Sequence, residues 1–235
     1  MPSRKAERVI AGVETHLRFL KEMGIEDVFK APPPPARPVL TKPAGPEAEA
    51  GMAALCEEVR TCRKCGLAAG RTKAVPGEGR VATPLMFVGE GPGRDEDLQG
   101  RPFVGRAGQL LTKIIAAMTF ERADVYIANI VKCRPPDNRV PQKAEVESCT
   151  PYLLRQIALI RPKVIVTLGK TSTEFFLPDV TGAMTAIRGR FYDWSGIKIM
   201  PTFHPSYLIR NEGDKSIRRM VWDDMQQVMS FLGRK

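Results

Sequence analysis

The run Leu85-Met86-Phe87-Val88-Gly89-Glu90-Gly91-Pro92-Gly93-Arg94-Asp95-Glu96-Asp97 decides the fold. Its first four residues are uninterrupted apolar, the pattern of a strand buried on both faces, and a glycine-rich acidic turn follows at once. Similar runs occur at Val125-Tyr126-Ile127-Ala128, Val164-Ile165-Val166-Thr167-Leu168 and Ile197-Lys198-Ile199-Met200. Helical periodicity covers roughly 105–118, 143–160, 169–177 and 214–232. Alternating strands and helices of this kind predict an α/β fold: a central four-stranded parallel sheet flanked by helices on both sides. In such sheets the reactive loops leave the carboxyl ends of the strands. The unusual residues of this chain fall there.

Outward from the sheet, Val9, Val13, Leu17, Leu20 and Met23 predict a helix over 4–23, within an N-terminal helical appendage spanning 1–30. A proline-rich linker over 31–50 follows, and the main domain occupies 51–235. The appendage reads as a dispensable or regulatory extension, with docking of a protein partner through its helix as the other reading. Residues 1–50 hold 8 basic and 7 acidic side chains, so of the formal charge of +10 the main domain carries +9. A polyanion is therefore the leading class of partner. No apolar run reaches the ~20 residues of a membrane helix, and the charged N-terminus does not read as an export signal. Five cysteines without such a signal point to a reduced compartment and thiolate chemistry, so a monomeric cytoplasmic protein is expected.

The turn after the first strand fails as a dinucleotide fingerprint because Arg94 stands where G-x-G-x-x-G needs its third glycine, and no G-K-[ST] is present. Its glycines and carboxylates suit close approach to a small, partly neutral ligand and an activated water. Phe103, set between prolines and glycines, has the character of a stacking platform for a planar ring. Asn129 ends the second strand; its amide both donates and accepts, as recognition of an imide edge requires. Of two histidines, His16 reads as surface. His204 follows the last strand, where it can hydrogen-bond a departing anion. The run Pro205-Ser206-Tyr207-Leu208-Ile209-Arg210 has the composition of a loop wedge for a base stack, with Leu208 and Ile209 at its tip. Cys62-Arg63-Lys64-Cys65 forms a CxxC pair, with Cys133 and Cys149 following singly. A zinc ribbon would need a second CxxC. Four separated thiolates suit a [4Fe–4S] cluster better, although tetrahedral zinc remains open.

In order, the CxxC, GEGPG-x-x-ED, GRPFVGRAGQLL, NIVKCRPPDNR, Cys149 and HPSYLIRN resemble the family 4 uracil-DNA glycosylases, the iron–sulfur branch of their superfamily, over roughly residues 52–232. The resemblance implies a three-layer α/β/α domain that flips uracil out of DNA and hydrolyses its N-glycosidic bond. It implies that Phe103 stacks on uracil and Asn129 reads its imide edge, while the Gly91 backbone and His204 stabilise the leaving base. Glu90 or Glu96, helped by Asn138, would handle the water. Cys62, Cys65, Cys133 and Cys149 would hold the [4Fe–4S] cluster. Neither histidine lies between Gly100 and Cys149, against a branch that captures uracil on a histidine. The remaining alternative is a non-catalytic iron–sulfur DNA-binding protein of the replication or repair machinery.

Overall fold

The computed structural model describes residues 45–234. The appendage at 1–30, with His16, and most of the linker lie outside these residues. Six strands form one sheet: β1 (Glu78–Gly79), β2 (Leu85–Gly89), β3 (Tyr126–Asn129), β4 (Val164–Leu168), β5 (Tyr192–Trp194) and β6 (Ile197–Thr202). Their spatial order is β1-β3-β2-β4-β6-β5. The central four are mutually parallel, and β1 and β5 add one antiparallel strand at each edge. The parallel core matches the four apolar runs. The edge strands, two and three residues long and partly exposed, carry too little periodicity to announce themselves.

Alternation along the strands divides the interior into two cores. Met86, Val88, Tyr126, Ala128, Ile165 and Ile199 pack with residues of two helices, α1 (Pro46–Thr61) and a long helix over Lys143–Ile160. Leu85, Phe87, Ile127, Val164, Val166 and Met200 pack instead with Leu111 and Ile115 of the helix Arg106–Ala117 and with Met225 and Val228 of the helix Lys215–Phe231. The domain is thus three-layered. Helix α1 begins at Pro46, inside the stretch read as linker, with Pro in its first turn and Glu47 and Glu49 near its positive end. No helix among the described residues is long and apolar enough to cross a membrane.

The chain leaves β2 toward β3, then crosses back to β4 on the other side. Strand order therefore reverses between β2 and β4, where α/β sheets open a crevice at their carboxyl ends. The segment expected as a loop wedge is a short helix, Pro205–Arg210. Leu208 in it is 3% exposed and packs with Phe203, Ile217 and Val221. A side chain committed to the core is not available to a base stack, so Leu208 leaves the wedge.

Phe87 has no exposure and sits mid-sheet. Phe87→Ala should lower unfolding free energy by ~3–5 kcal/mol in denaturant titration. Phe231→Ala, at a residue 46% exposed, should cost under about 1 kcal/mol; equal losses would contradict the core assignment.

Candidate active site

The carboxyl ends of the parallel strands gather the sequence candidates into one cradle. Gly89 of β2 lies opposite Asn129 of β3 in the sheet register. A Cβ on Gly89 would fall 2.5 Å from Asn129 Oδ1 and 2.5 Å from Phe103 Cζ. Only glycine lets the amide and the ring meet there. Asn129 is 1% exposed, and its Oδ1 is buried without a hydrogen-bond partner. An orphaned buried acceptor is costly, on the order of 1–3 kcal/mol, and is satisfied by a ligand that brings a donor.

Two buried groups fix this corner. Lys132 Nζ donates to the Asn129 backbone carbonyl at 2.7 Å and to Gln156 Oε1 at 2.7 Å. Burial pulls the Lys132 ammonium down to about 8. Phe103 is 6% exposed and holds a left-handed backbone, φ 51°. A Cβ on Gly108, in the helix Arg106–Ala117, would lie 1.8 Å from the Phe103 carbonyl oxygen. The glycine lets that helix abut the strained turn.

His204 caps the helix Pro205–Arg210. Its Nδ1 accepts from the Ser206 backbone N–H at 3.1 Å and lies 2.8 Å from Ser206 Oγ. Burial, reinforced by the Arg210 cation, lowers its pKa to about 4. The imidazole is therefore neutral near pH 7. With Nδ1 occupied as an acceptor, its proton rests on Nε2. The ring stands 5.7 Å from Phe103, tilted by 35°. An apolar ring, an unmatched acceptor and a neutral imidazole thus lie close together, a set suited to a planar heterocycle whose edge carries both N–H and C=O.

The acidic residues divide. Glu90, next to Gly89, is half-buried and accepts a hydrogen bond from the Thr171 hydroxyl, across the point where strand order reverses. Glu96 has a different use: Oε2 accepts from Gly93 N–H at 3.1 Å, and Oε1 from Val104 and Gly105 N–H at 2.8 and 2.9 Å. It ties the glycine turn to the Phe103 turn as a brace, so of the two carboxylates offered for handling water this one has both oxygens engaged by backbone. Buried Asp97 similarly accepts from Thr72 N–H at 2.9 Å. Asn138 needs correction. It is exposed on a left-handed turn, φ 55°, and accepts from Arg134 Nε at 2.8 Å. A Cβ on Gly91 would sit 2.8 Å from Val131, so that glycine keeps the turn against the β3 loop.

In the HPSYLIR segment, Pro205 is buried, Ser206 orients His204, and Tyr207 stacks on Phe203 at 5.0 Å. Half-buried Ile209 and exposed Arg210 remain as surface candidates. Lys132 and Thr171 went unforeseen. A lysine inside Ile130-Val131-Lys132-Cys133 was the one available signal, because its flanks are apolar.

Cys62, Cys65, Cys133 and Cys149 line one small pocket with Val59, Arg71 and Tyr152. N–H donors face the sulfurs: Arg71 Nη1 on Cys133 at 3.0 Å, the Lys132 backbone on Cys149 at 3.3 Å, and the Lys64 backbone on Cys62 at 3.5 Å. Among the described residues, no three His, Cys, Asp or Glu side chains gather as around a single metal ion. Four cysteines around one pocket supply the thiolate donors that an iron–sulfur cluster requires. Half-buried Cys56 faces Tyr126 instead.

Residues 76–226 match the sequence profile of the uracil DNA glycosylase superfamily. The type-4 uracil-DNA glycosylase of Thermotoga maritima is 48% identical over 185 residues, covering 78% of this chain and 96% of that protein. The type-4 enzyme of Saccharolobus solfataricus is 45% identical over 189 residues, 77% of this chain and 86% of that one. The type-5 enzyme of Pyrobaculum aerophilum is 30% identical over 166 residues, 63% of this chain and 73% of that one.

Nitrogen-detected NMR should place the His204 proton on Nε2 with a titration midpoint about 4. Because this pKa lies below the ordinary value of 6.5, the stability linked to His204 is full above about pH 6.5 and is lost as pH falls toward 4. A midpoint at or above 6.5 would contradict the cradle's electrostatics.

Proposed function

The chain belongs to the uracil-DNA glycosylase superfamily, and on that premise we propose that it removes uracil from DNA by hydrolysing the N-glycosidic bond, leaving an abasic site. The observation that carries this reading is the buried, unpartnered Asn129 Oδ1 beside Phe103. Uracil N3–H supplies the donor that this oxygen lacks, and the Asn129 amide N–H donates to O4. Cytosine offers an acceptor at N3 and a donor at its 4-position, so it meets both groups with the wrong sign. Fixing the Asn129 backbone through Lys132 supports that discrimination.

The glycosidic bond is shielded within a duplex, so the nucleotide must leave the stack, which costs a few kcal/mol. Phosphate contacts by the basic domain offset that cost, with Ile209 and Arg210 filling the space left behind. Cleavage places negative charge on the departing base and positive charge on the sugar. Neutral His204 donates from Nε2 to the uracil 2-carbonyl, and the Gly91 N–H adds a second donor. A neutral donor gains strength as the oxygen becomes anionic and needs no proton from solvent. Glu90, steered by Thr171, holds the attacking water and faces the developing positive charge. Glu96 keeps Phe103 and the glycine turn in register throughout.

Cys62, Cys65, Cys133 and Cys149 would hold a [4Fe–4S] cluster, which would supply a covalent tie between the loop after α1, the β3 loop and the helix Lys143–Ile160.

A labelled oligonucleotide with one uracil, treated with the protein and then hot alkali, should break at that position and stay intact with thymine or cytosine there. Asn129→Asp should lower excision by roughly 10²-fold or more, because a carboxylate cannot donate to O4 and repels the uracil anion; unchanged excision would remove Asn129 from recognition. Purified protein should be brown, with broad absorbance near roughly 400 nm that Cys149→Ser reduces. Colourless protein containing zinc would overturn the cluster and leave the glycosylase reading standing.

A further inference from the structure

A second basic feature lies outside the cradle. Arg60, Arg63, Arg71, Lys73 and Arg101 line a groove of about 610 Å³ whose remaining lining residues are neutral. Arg60, Arg63, Lys73 and Arg101 are exposed. Glu57 engages Arg60, and Glu78 engages Arg101, which leaves Arg63, Arg71 and Lys73 as the groove's excess positive charge. We propose that this groove carries the phosphates of the DNA strand flanking the extruded base, so that the loop between Cys62 and Cys65 forms part of the DNA interface. The inference rests on the glycosylase reading above.

Its geometry is tied to the cradle. Thr72 and Lys73 offer their backbone N–H groups to Asp97, at 2.9 and 3.4 Å. Asp97 adjoins Glu96, the brace of the Phe103 turn, and Arg101 stands two residues before Phe103. At the other end, Arg71 donates to the Arg60 carbonyl at 2.7 Å and to Cys133 Sγ at 3.0 Å. The groove floor is thus anchored both to the cysteine pocket and to the turn that positions the stacking ring. A single small anion would leave most of these cations unmatched. A nucleic-acid strand, with one charge per ~3.4 Å of axis, answers several at once.

The test measures binding of the full chain to a labelled duplex lacking uracil, across a range of salt concentrations, alongside uracil excision. Arg63→Gln/Lys73→Gln should flatten the log–log salt slope by about 1.8, from ~0.9 per lost phosphate contact. Binding near 50–100 mM salt should weaken on the order of tenfold, and in excision the loss should fall on KM rather than kcat. Arg63→Lys/Lys73→Arg should restore the slope. Lys163→Gln/Lys198→Gln removes the same charge at the amino ends of β4 and β6 and should leave the slope near wild type. A groove variant with the wild-type slope, or a control that flattens equally, would overturn the proposal. So would inorganic phosphate binding lost in the groove variant while its DNA slope stays intact. Absence of uracil release by the wild type would instead overturn the function reading, independently of the slope.

Discussion

The Glu96 carboxylate is the constraint on which the site depends. Its three accepted hydrogen bonds, from Gly93, Val104 and Gly105, fasten the turn leaving β2 to the turn carrying Phe103. Phe103 could not otherwise be expected to keep a left-handed backbone beneath Gly108; such a conformation persists only where its surroundings over-determine it. Bonds to an ionised acceptor are stronger than neutral ones, and each here satisfies a backbone N–H with no strand or helix partner. The brace therefore rigidifies the cradle before any ligand arrives.

Around that brace, groups are left deliberately incomplete. Asn129 Oδ1 lacks a donor, and His204 keeps its proton on the nitrogen that Ser206 does not occupy. The orphaned Asn129 oxygen costs stability on its own and becomes favourable with one kind of ring in place. The buried Lys132–Gln156 pair supports the arrangement from behind. Gln156 in turn donates to the Pro76 carbonyl and meets the Tyr126 hydroxyl, so the support reaches through the core to the edge of the sheet.

Much of this was legible in the sequence because the strongest signals were periodic. Four apolar runs gave the parallel strands, the strand-end rule pointed to the acidic turn, Asn129 and His204, and Phe103 stood out among its proline and glycine neighbours. What escaped was what periodicity does not encode. The antiparallel edges are too short, and Pro46 reads as linker although it opens a helix. Glu90 and Glu96 look equivalent in a motif; only hydrogen-bond partners separate a carboxylate bonded to a side-chain hydroxyl from one occupied by backbone. Leu208 looked like a wedge because an amphipathic turn has the same residues whichever face is buried. Lys132 was hidden by its type, since buried lysines are rare and are recognised only from their partners.

If Asn129 and His204 jointly read one heterocycle, free uracil reports on both at once. In an NMR titration of the full chain with uracil, the Asn129 side-chain amide and the His204 imidazole should shift together along a single binding curve, with the proton remaining on Nε2. Thymine should move neither at the same concentration. Uracil binding that leaves either group unmoved, or that moves them with different midpoints, would contradict the account.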